Sequence, residues 1–111
     1  MESIQWYHYL AAFFAGAFFA NALPHFIHGI SGDKFPTPFS KPPGKGLSSP
    51  VVNTLWACVN LLAGYMLFSV SKVSAANEIL VVVFFIGIVL VSVMSSYLFS
   101  TKQKDNGTEK L

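Results

Sequence analysis

Three polar side chains in the first apolar segment have the types and spacing that could support chemistry. Asn21, His25 and His28 stand at positions i, i+4 and i+7, so they share one face of a helix. Histidine is the commonest metal ligand and titrates near neutral pH. The pair is therefore a candidate for metal or haem binding, or for proton transfer. The interpretation we favour is that both rings bond to loop carbonyls or lipid headgroups.

A metal site would need more ligands than these two histidines provide. Tetrahedral zinc takes four protein ligands, or three and a water. The remaining candidates are Cys58 and the distant His8. A bis-histidine haem needs opposed ligands, which only a partner subunit could complete. We therefore predict no cofactor, and haem or metal binding by His25 and His28 stays an alternative.

A second polar stripe lies in the next apolar segment. Asn53, Ala57, Asn60 and Gly64 are spaced i, i+4, i+7 and i+11, again one helical face. Polar side chains inside a membrane tend to face the bundle interior. Hydrogen bonding between helices is the interpretation we favour. The alternative is an oligomeric channel or transporter lined by Asn21, His25, Asn53 and Asn60.

The elements that must position these stripes are membrane helices. Of the 111 residues 53% are hydrophobic and 11% are charged, and the charges are clustered. Each of three windows without Asp, Glu, Lys or Arg exceeds the roughly 20 residues that cross a bilayer. The sequence predicts one all-α membrane domain over residues 1–111. Its predicted spans cover residues of about 4–30, 50–71 and 76–100.

The connection at 31–49 is predicted to be an ordered, docked loop, because it is rich in proline and carries two phenylalanines. Phe35 and Phe39 are expected to dip into the membrane interface. Lys41 and Lys45 are expected to contact anionic lipid headgroups. The tail at 102–111 is polar and is predicted to be disordered.

Several positions should shape the helices and their packing. Pro24 should kink the first helix or end it early. Ser48 or Ser49 should cap the second helix, with Pro50 in its first position. Small residues at every fourth position let a neighbouring helix approach closely. The predicted packing positions are Ala12, Gly16, Ala20, Ala57 and Gly64. The third span is uniformly apolar and is expected to meet lipid.

Lysine counts predict the orientation in the membrane. With three spans, the loop and the tail share one side, and that side holds six lysines against Lys72 on the other. By the positive-inside rule, the N-terminus is outside and the C-terminus is cytoplasmic. Met1–Ser3 contains no basic residue, which favours a retained span over a cleaved signal peptide.

Composition also argues against several functions. A net charge of +2 without arginine gives no basic groove for nucleic acid. The only aspartates, Asp33 and Asp105, lie outside the spans, so no Ser-His-Asp set is expected. We predict a non-enzymatic protein that acts through interaction. It would be an accessory or assembly subunit of a larger membrane complex, or a homo-oligomer, with lipid and other membrane subunits as partners.

Three runs carry a family resemblance: Asn-Ala-Leu-Pro-His-Phe at 21–26, Phe-Pro-Thr-Pro-Phe-Ser-Lys-Pro-Pro-Gly at 35–44, and Leu-Ser-Ser-Pro-Val-Val-Asn-Thr-Leu-Trp at 47–56. With these runs, the first two segments resemble small bacterial inner-membrane proteins that carry no assigned activity. The resemblance implies a bacterial inner-membrane location, and it implies no cofactor or functional residue.

Overall fold

The computed structural model describes residues 3–104, and these form three helices. They are α1 (Trp6–Ile30), α2 (Pro50–Ser71) and α3 (Glu78–Phe99). Each is long and apolar enough to cross a membrane. The prediction of an all-α fold with three such helices, and a long loop between the first two, is confirmed. The chain is a small multi-pass membrane protein.

The helix ends lie within two residues of the predicted limits. α2 begins at Pro50 as predicted, and the Oγ of Ser49, not of Ser48, accepts from the backbone N–H of Val52 at 3.1 Å. α3 begins at Glu78, where the side chain of Asn77 accepts from the Leu80 N–H at 3.1 Å. Such caps satisfy backbone donors that have no partner within the helix. Residues 105–111 of the predicted tail lie outside the described residues.

Pro24 does not end α1, so that part of the prediction is wrong. The helix continues through Pro24 to Ile30. A proline removes one backbone donor, but neighbouring helices support such positions in membrane bundles. The chain turns only at Gly32, whose φ of 79° is in the left-handed region that glycine adopts readily. The Asp33 N–H then bonds to the His28 carbonyl at 2.9 Å and closes the helix end.

α1 is the central helix of the molecule. It packs along both other helices, whereas α2 and α3 make few backbone contacts with each other. The aromatic rings of Phe19, Phe68 and Phe84, one from each helix, meet with centroid separations of 5.4–6.4 Å. Toward the loop, open space remains between the helices, and it contains the cavities described below.

The predicted packing residues lie on these helix contacts. Ala12, Ala20 and Ala57 are buried. A side chain at Gly16 would collide with the backbone carbonyl of Phe84 on α3, and one at Gly87 would collide with that of Phe13 on α1. The backbones of α1 and α3 therefore touch at this crossing. A Cβ at Gly64 would meet the Phe19 ring, so that contact involves a side chain.

Candidate functional site

Hydrogen bonds between α1 and α2 join the two predicted polar stripes in pairs. Asn21 Nδ2 donates to Asn60 Oδ1 at 3.0 Å, and His25 Nδ1 lies 2.8 Å from Asn53 Oδ1. Asn53, Asn60 and His25 are all at most 2% exposed. The antiparallel packing of α1 and α2 thus brings four of the five predicted polar residues together.

The carboxamide of Asn53 also holds the loop. Its Nδ2 lies 2.8 Å from the Phe35 carbonyl oxygen, and 3.2 and 3.1 Å from those of Ser48 and Ser49. Carbonyl oxygens only accept hydrogen bonds, so the group facing them is the amide NH₂. The Oδ1 atom of Asn53 must then accept from His25. The side chain therefore connects α1, α2 and both ends of the loop.

This assignment fixes the tautomer of neutral His25. Since Asn53 Oδ1 can only accept, His25 Nδ1 carries the proton and Nε2 keeps a free lone pair. Within residues 3–104, Nε2 has no hydrogen-bond partner, and His25 as a whole is 2% exposed.

The loop that covers this region is held by its own bonds. Phe35 and Ser48 pair as an antiparallel bridge, with N–O distances of 3.2 and 3.0 Å. The Thr37 and Ser48 hydroxyls lie 2.6 Å apart, and Ser40 Oγ donates to the Thr37 carbonyl at 2.7 Å. The C-terminal segment joins the loop through Gln103, whose N–H bonds to the Lys45 carbonyl at 2.8 Å.

Phe35 and Phe39 differ in position, and the expectation that both enter the interface is wrong for Phe35. Phe35 is 4% exposed and packs against His28 and Phe99, with centroid separations of 4.3 and 4.7 Å. Phe39 is 65% exposed and touches the edge of Trp56. Phe35 is drawn inward because its backbone is bonded to Asn53 and Ser48.

His28 does not join His25 in a common site. Its ring stacks on Phe35 at an interplanar angle of 11°, and its Nδ1 lies 3.7 Å from an Asp33 carboxylate oxygen. The two histidines line different cavities. Within residues 3–104, no three His, Cys, Asp or Glu side chains are grouped so that they could hold a metal. Cys58 is exposed.

A large cavity of about 680 Å³ lies beneath the loop between the ends of the three helices. His25 and Asn21 of α1 and Trp56 of α2 contribute to its wall. The Nε1–H of Trp56 is buried without a hydrogen-bond partner in the described part of the chain. The apolar lining residues include Pro36, Pro38, Pro43, Leu98 and Phe99. Lys45 is the one charged residue among those that line it.

A second cavity, about 300 Å³, lies between α1 and α3. Asn21, Leu98 and Phe99 line both spaces, so the two cavities adjoin. Its other walls are mostly apolar side chains of the two helices, and Asn60 contributes a polar edge. We call this second space the α1–α3 cleft.

The lysines of the loop lie at the surface. Lys41 and Lys45 are exposed, and Lys45 borders the large cavity. Lys102 Nζ lies 6.0 Å from the centre of the Phe35 ring. These positions are open to solvent or lipid headgroups at the loop end of the molecule.

Sequence reasoning did not single out Trp56, Phe99 or Gly87. Trp56 lies one turn after Asn53, and its indole in an otherwise aliphatic stretch was the available signal. Gly87 is the lone glycine of an apolar helix, a pattern that often marks close backbone approach. No sequence pattern marked Phe99, because Phe35, the residue it contacts, lies in the loop and meets Phe99 only when the loop is docked.

Comparison with known proteins gives no relative: no family model, curated protein or solved structure matches this chain.

Proposed function

We propose that the protein is a non-enzymatic accessory or assembly subunit of a larger membrane complex, or a homo-oligomer, in a bacterial inner membrane. Neither the large cavity nor the α1–α3 cleft has a carboxylate or thiol among its lining residues. The hydroxyl groups that line the large cavity, those of Thr37, Ser100 and Thr101, bond to other groups and not to His25, so no hydrogen-bonded nucleophile–base pair is present there. Binding is the activity that remains.

The observation that carries this proposal is the incomplete pairing of Asn21 at membrane depth. Asn21 precedes the end of α1 by nine residues, about 13 Å along the helix. Its Oδ1 has no hydrogen-bond partner within residues 3–104, and the residue lines the α1–α3 cleft. An unpaired polar group facing hydrocarbon costs several kcal/mol. A partner helix that covers the cleft and donates a hydrogen bond would remove this cost.

Photocrosslinking in native membranes tests the proposal. A photoreactive amino acid at Met94, which lines the cleft, should capture another membrane protein or a second copy of this chain. The matched control carries the same photoreactive amino acid at Val93, which is similarly exposed but does not line the cleft. Asn21→Leu should reduce capture from Met94. Capture of lipid alone from both positions would contradict the proposal.

We also propose that the N-terminus is outside and the C-terminus is cytoplasmic. The Gln103–Lys45 bond keeps the loop and the C-terminal segment at one end of the molecule. Within residues 3–104 that end carries five lysines, and Lys72 lies at the other. The positive-inside rule then gives the orientation. Exposed Lys41 and Lys45 would contact anionic headgroups at the cytoplasmic surface.

The two alternative functions receive less support. A pore between copies would need open asparagines, but Asn53 and Asn60 are 0% and 1% exposed and are bonded within one chain. Haem or metal binding through both His25 and His28 would need their rings to converge, and they line separate cavities. Neither alternative has an observation of its own that favours it.

A further inference from the structure

Another cavity, about 350 Å³, lies at the loop end of the molecule and is lined mainly by basic and polar residues. The last turn of α1, both ends of the loop and the C-terminal segment form its wall. We call it the basic pocket. We propose that the basic pocket binds the phosphate group of an anionic membrane lipid. It shares no lining residue with the large cavity or the α1–α3 cleft, so this proposal does not depend on the subunit contact proposed above.

The charge of the basic pocket selects the class of ligand. Lys34, Lys102 and Lys104 line it, and Asp33 is the one carboxylate among its lining residues. With histidine neutral, these side chains give the pocket a net charge of +2. The C-terminal end of α1 adds about half a negative charge, which leaves the pocket positive. A cation would be repelled from this site, and an anion is attracted to it.

The docked loop and the C-terminal segment bring the lysines together although they are far apart in the sequence. The Gln103 N–H bonds to the Lys45 carbonyl at 2.8 Å, which holds the segment that carries Lys102 and Lys104 against the loop. Lys102 Nζ lies 6.0 Å from the centre of the Phe35 ring, which is itself part of the pocket wall. Lysine carries its charge on a flexible stem, so the ammonium groups can close around a bound anion.

The depth of the basic pocket identifies the source of the anion. His28 lies in the last turn of α1, a helix long and apolar enough to cross a membrane. The pocket therefore lies where this span ends, at the level of the lipid headgroups, and basic pockets there bind anionic headgroups. Phe35 and Leu47 add apolar groups to its wall, which suit a lipid better than a free ion. Lys41 and Lys45, for which an open headgroup contact is proposed above, do not line this pocket.

Native mass spectrometry of the full chain in detergent tests the proposal at about pH 8, where histidine is ordinarily neutral. The probes are anionic phosphatidylglycerol and phosphatidylethanolamine with the same acyl chains, whose ammonium group makes it neutral overall. One charge near a basic surface changes affinity about fivefold, so the first phosphatidylglycerol should bind about fivefold more tightly than phosphatidylethanolamine. Equal affinity for the two lipids would overturn the proposal.

Competition with inorganic phosphate distinguishes a lipid from a free anion. Phosphate at the same concentration as phosphatidylglycerol should leave the fraction of lipid-bound protein unchanged, because it has no apolar part to contact the pocket wall. Displacement of the lipid at equal concentration would make this a site for free phosphate. That result would overturn the assignment to a lipid.

Substitutions that remove single charges locate the binding. Lys102→Gln and Lys104→Gln should each weaken phosphatidylglycerol binding about fivefold, because each removes one positive charge from the pocket. The matched control is Lys41→Gln, which removes the same charge from an exposed loop lysine outside the pocket. Equal weakening by all three substitutions would indicate general attraction to a basic surface. That result, or unchanged binding in both pocket variants, would overturn the proposed site.

Asp33→Asn tests the site in the opposite direction. An Asp33 carboxylate oxygen lies 3.7 Å from His28 Nδ1, too far for a hydrogen bond, so this substitution should leave the fold intact. It raises the charge of the pocket by one unit and should strengthen phosphatidylglycerol binding about fivefold. A substitution that only disturbed the loop would not increase affinity. Unchanged or weaker binding in Asp33→Asn would contradict the proposal.

Discussion

The central helix α1 contacts its two neighbours by different means. Its contact with α2 contains directional hydrogen bonds between buried side chains, Asn21 with Asn60 and His25 with Asn53. Its contact with α3 depends on glycines, since Gly16 and Gly87 bring the two backbones together. The first contact specifies which residues lie opposite each other. The second specifies how closely the helices approach.

The difference explains why the cavities lie where they do. α3 is pressed against α1 near Gly87 and is joined to the loop through Phe99 and Gln103. Between these points its side chains and those of α1 leave the α1–α3 cleft. α2 is bonded to α1 along the same stretch, so the polar groups that border the cavities are fixed on the α1–α2 side.

The largest expected effect is at the glycine contact. Gly87→Ala should destabilise the protein by about 3 kcal/mol, because the new Cβ would collide with the Phe13 carbonyl and force α3 away. Unfolding in mixed detergent, followed by circular dichroism, measures the change. The matched control is Gly64→Ala, where the new Cβ meets the Phe19 ring, which can rotate. Equal destabilisation at both positions would mean that a collision with the backbone costs no more than a collision with a side chain.

A smaller loss is expected from the polar contact at its loop end. Asn53→Leu leaves the Phe35 carbonyl and the His25 Nδ1–H without their buried partner, which should cost about 2 kcal/mol. The loop should also open, so trypsin should cleave after Lys45 faster than in the unchanged protein. Cys58→Leu, at an exposed position of the same helix, is the control. Unchanged cleavage and unchanged stability in Asn53→Leu would mean that Asn53 holds neither the loop nor the α1–α2 contact.

The smallest effect is expected at the single bond between Asn21 and Asn60. A double-mutant cycle with Asn21→Leu and Asn60→Leu should give a coupling energy of about 0.6 kcal/mol, typical of hydrogen bonds between membrane helices. The same unfolding measurement applies to all four proteins. A coupling energy indistinguishable from zero would mean that this bond adds nothing to the α1–α2 contact.

Periodicity and charge distribution were enough to predict the helices. The charge-free windows located the three spans, and the spacing of Asn21 and His25 placed them on one face. Antiparallel packing of the first two spans then suggested a common depth for Asn21, His25 and Asn53. The prediction could go this far because helical geometry relates sequence spacing directly to a face.

Other features depended on contacts between distant segments. Phe35 was expected in the membrane interface, but its backbone bonds to Asn53 place it inside. α3 was expected to serve mainly as a lipid-facing helix, yet Phe99 lines the large cavity and Gly87 touches α1. The spacing of His25 and His28 did not show that Phe35 of the loop would pack against both rings, or that the two rings would line different cavities.

The central claim is that Asn53 holds the proton of neutral His25 on Nδ1 and leaves Nε2 free. Solid-state ¹⁵N NMR of histidine-labelled protein in bilayers tests it directly, with His8→Gln and His28→Gln introduced so that one ring gives the signal. At about pH 8, where histidine is ordinarily neutral, the account predicts a protonated Nδ1 hydrogen-bonded to Asn53 and an unprotonated Nε2. A neutral ring with its proton on Nε2 would contradict the account.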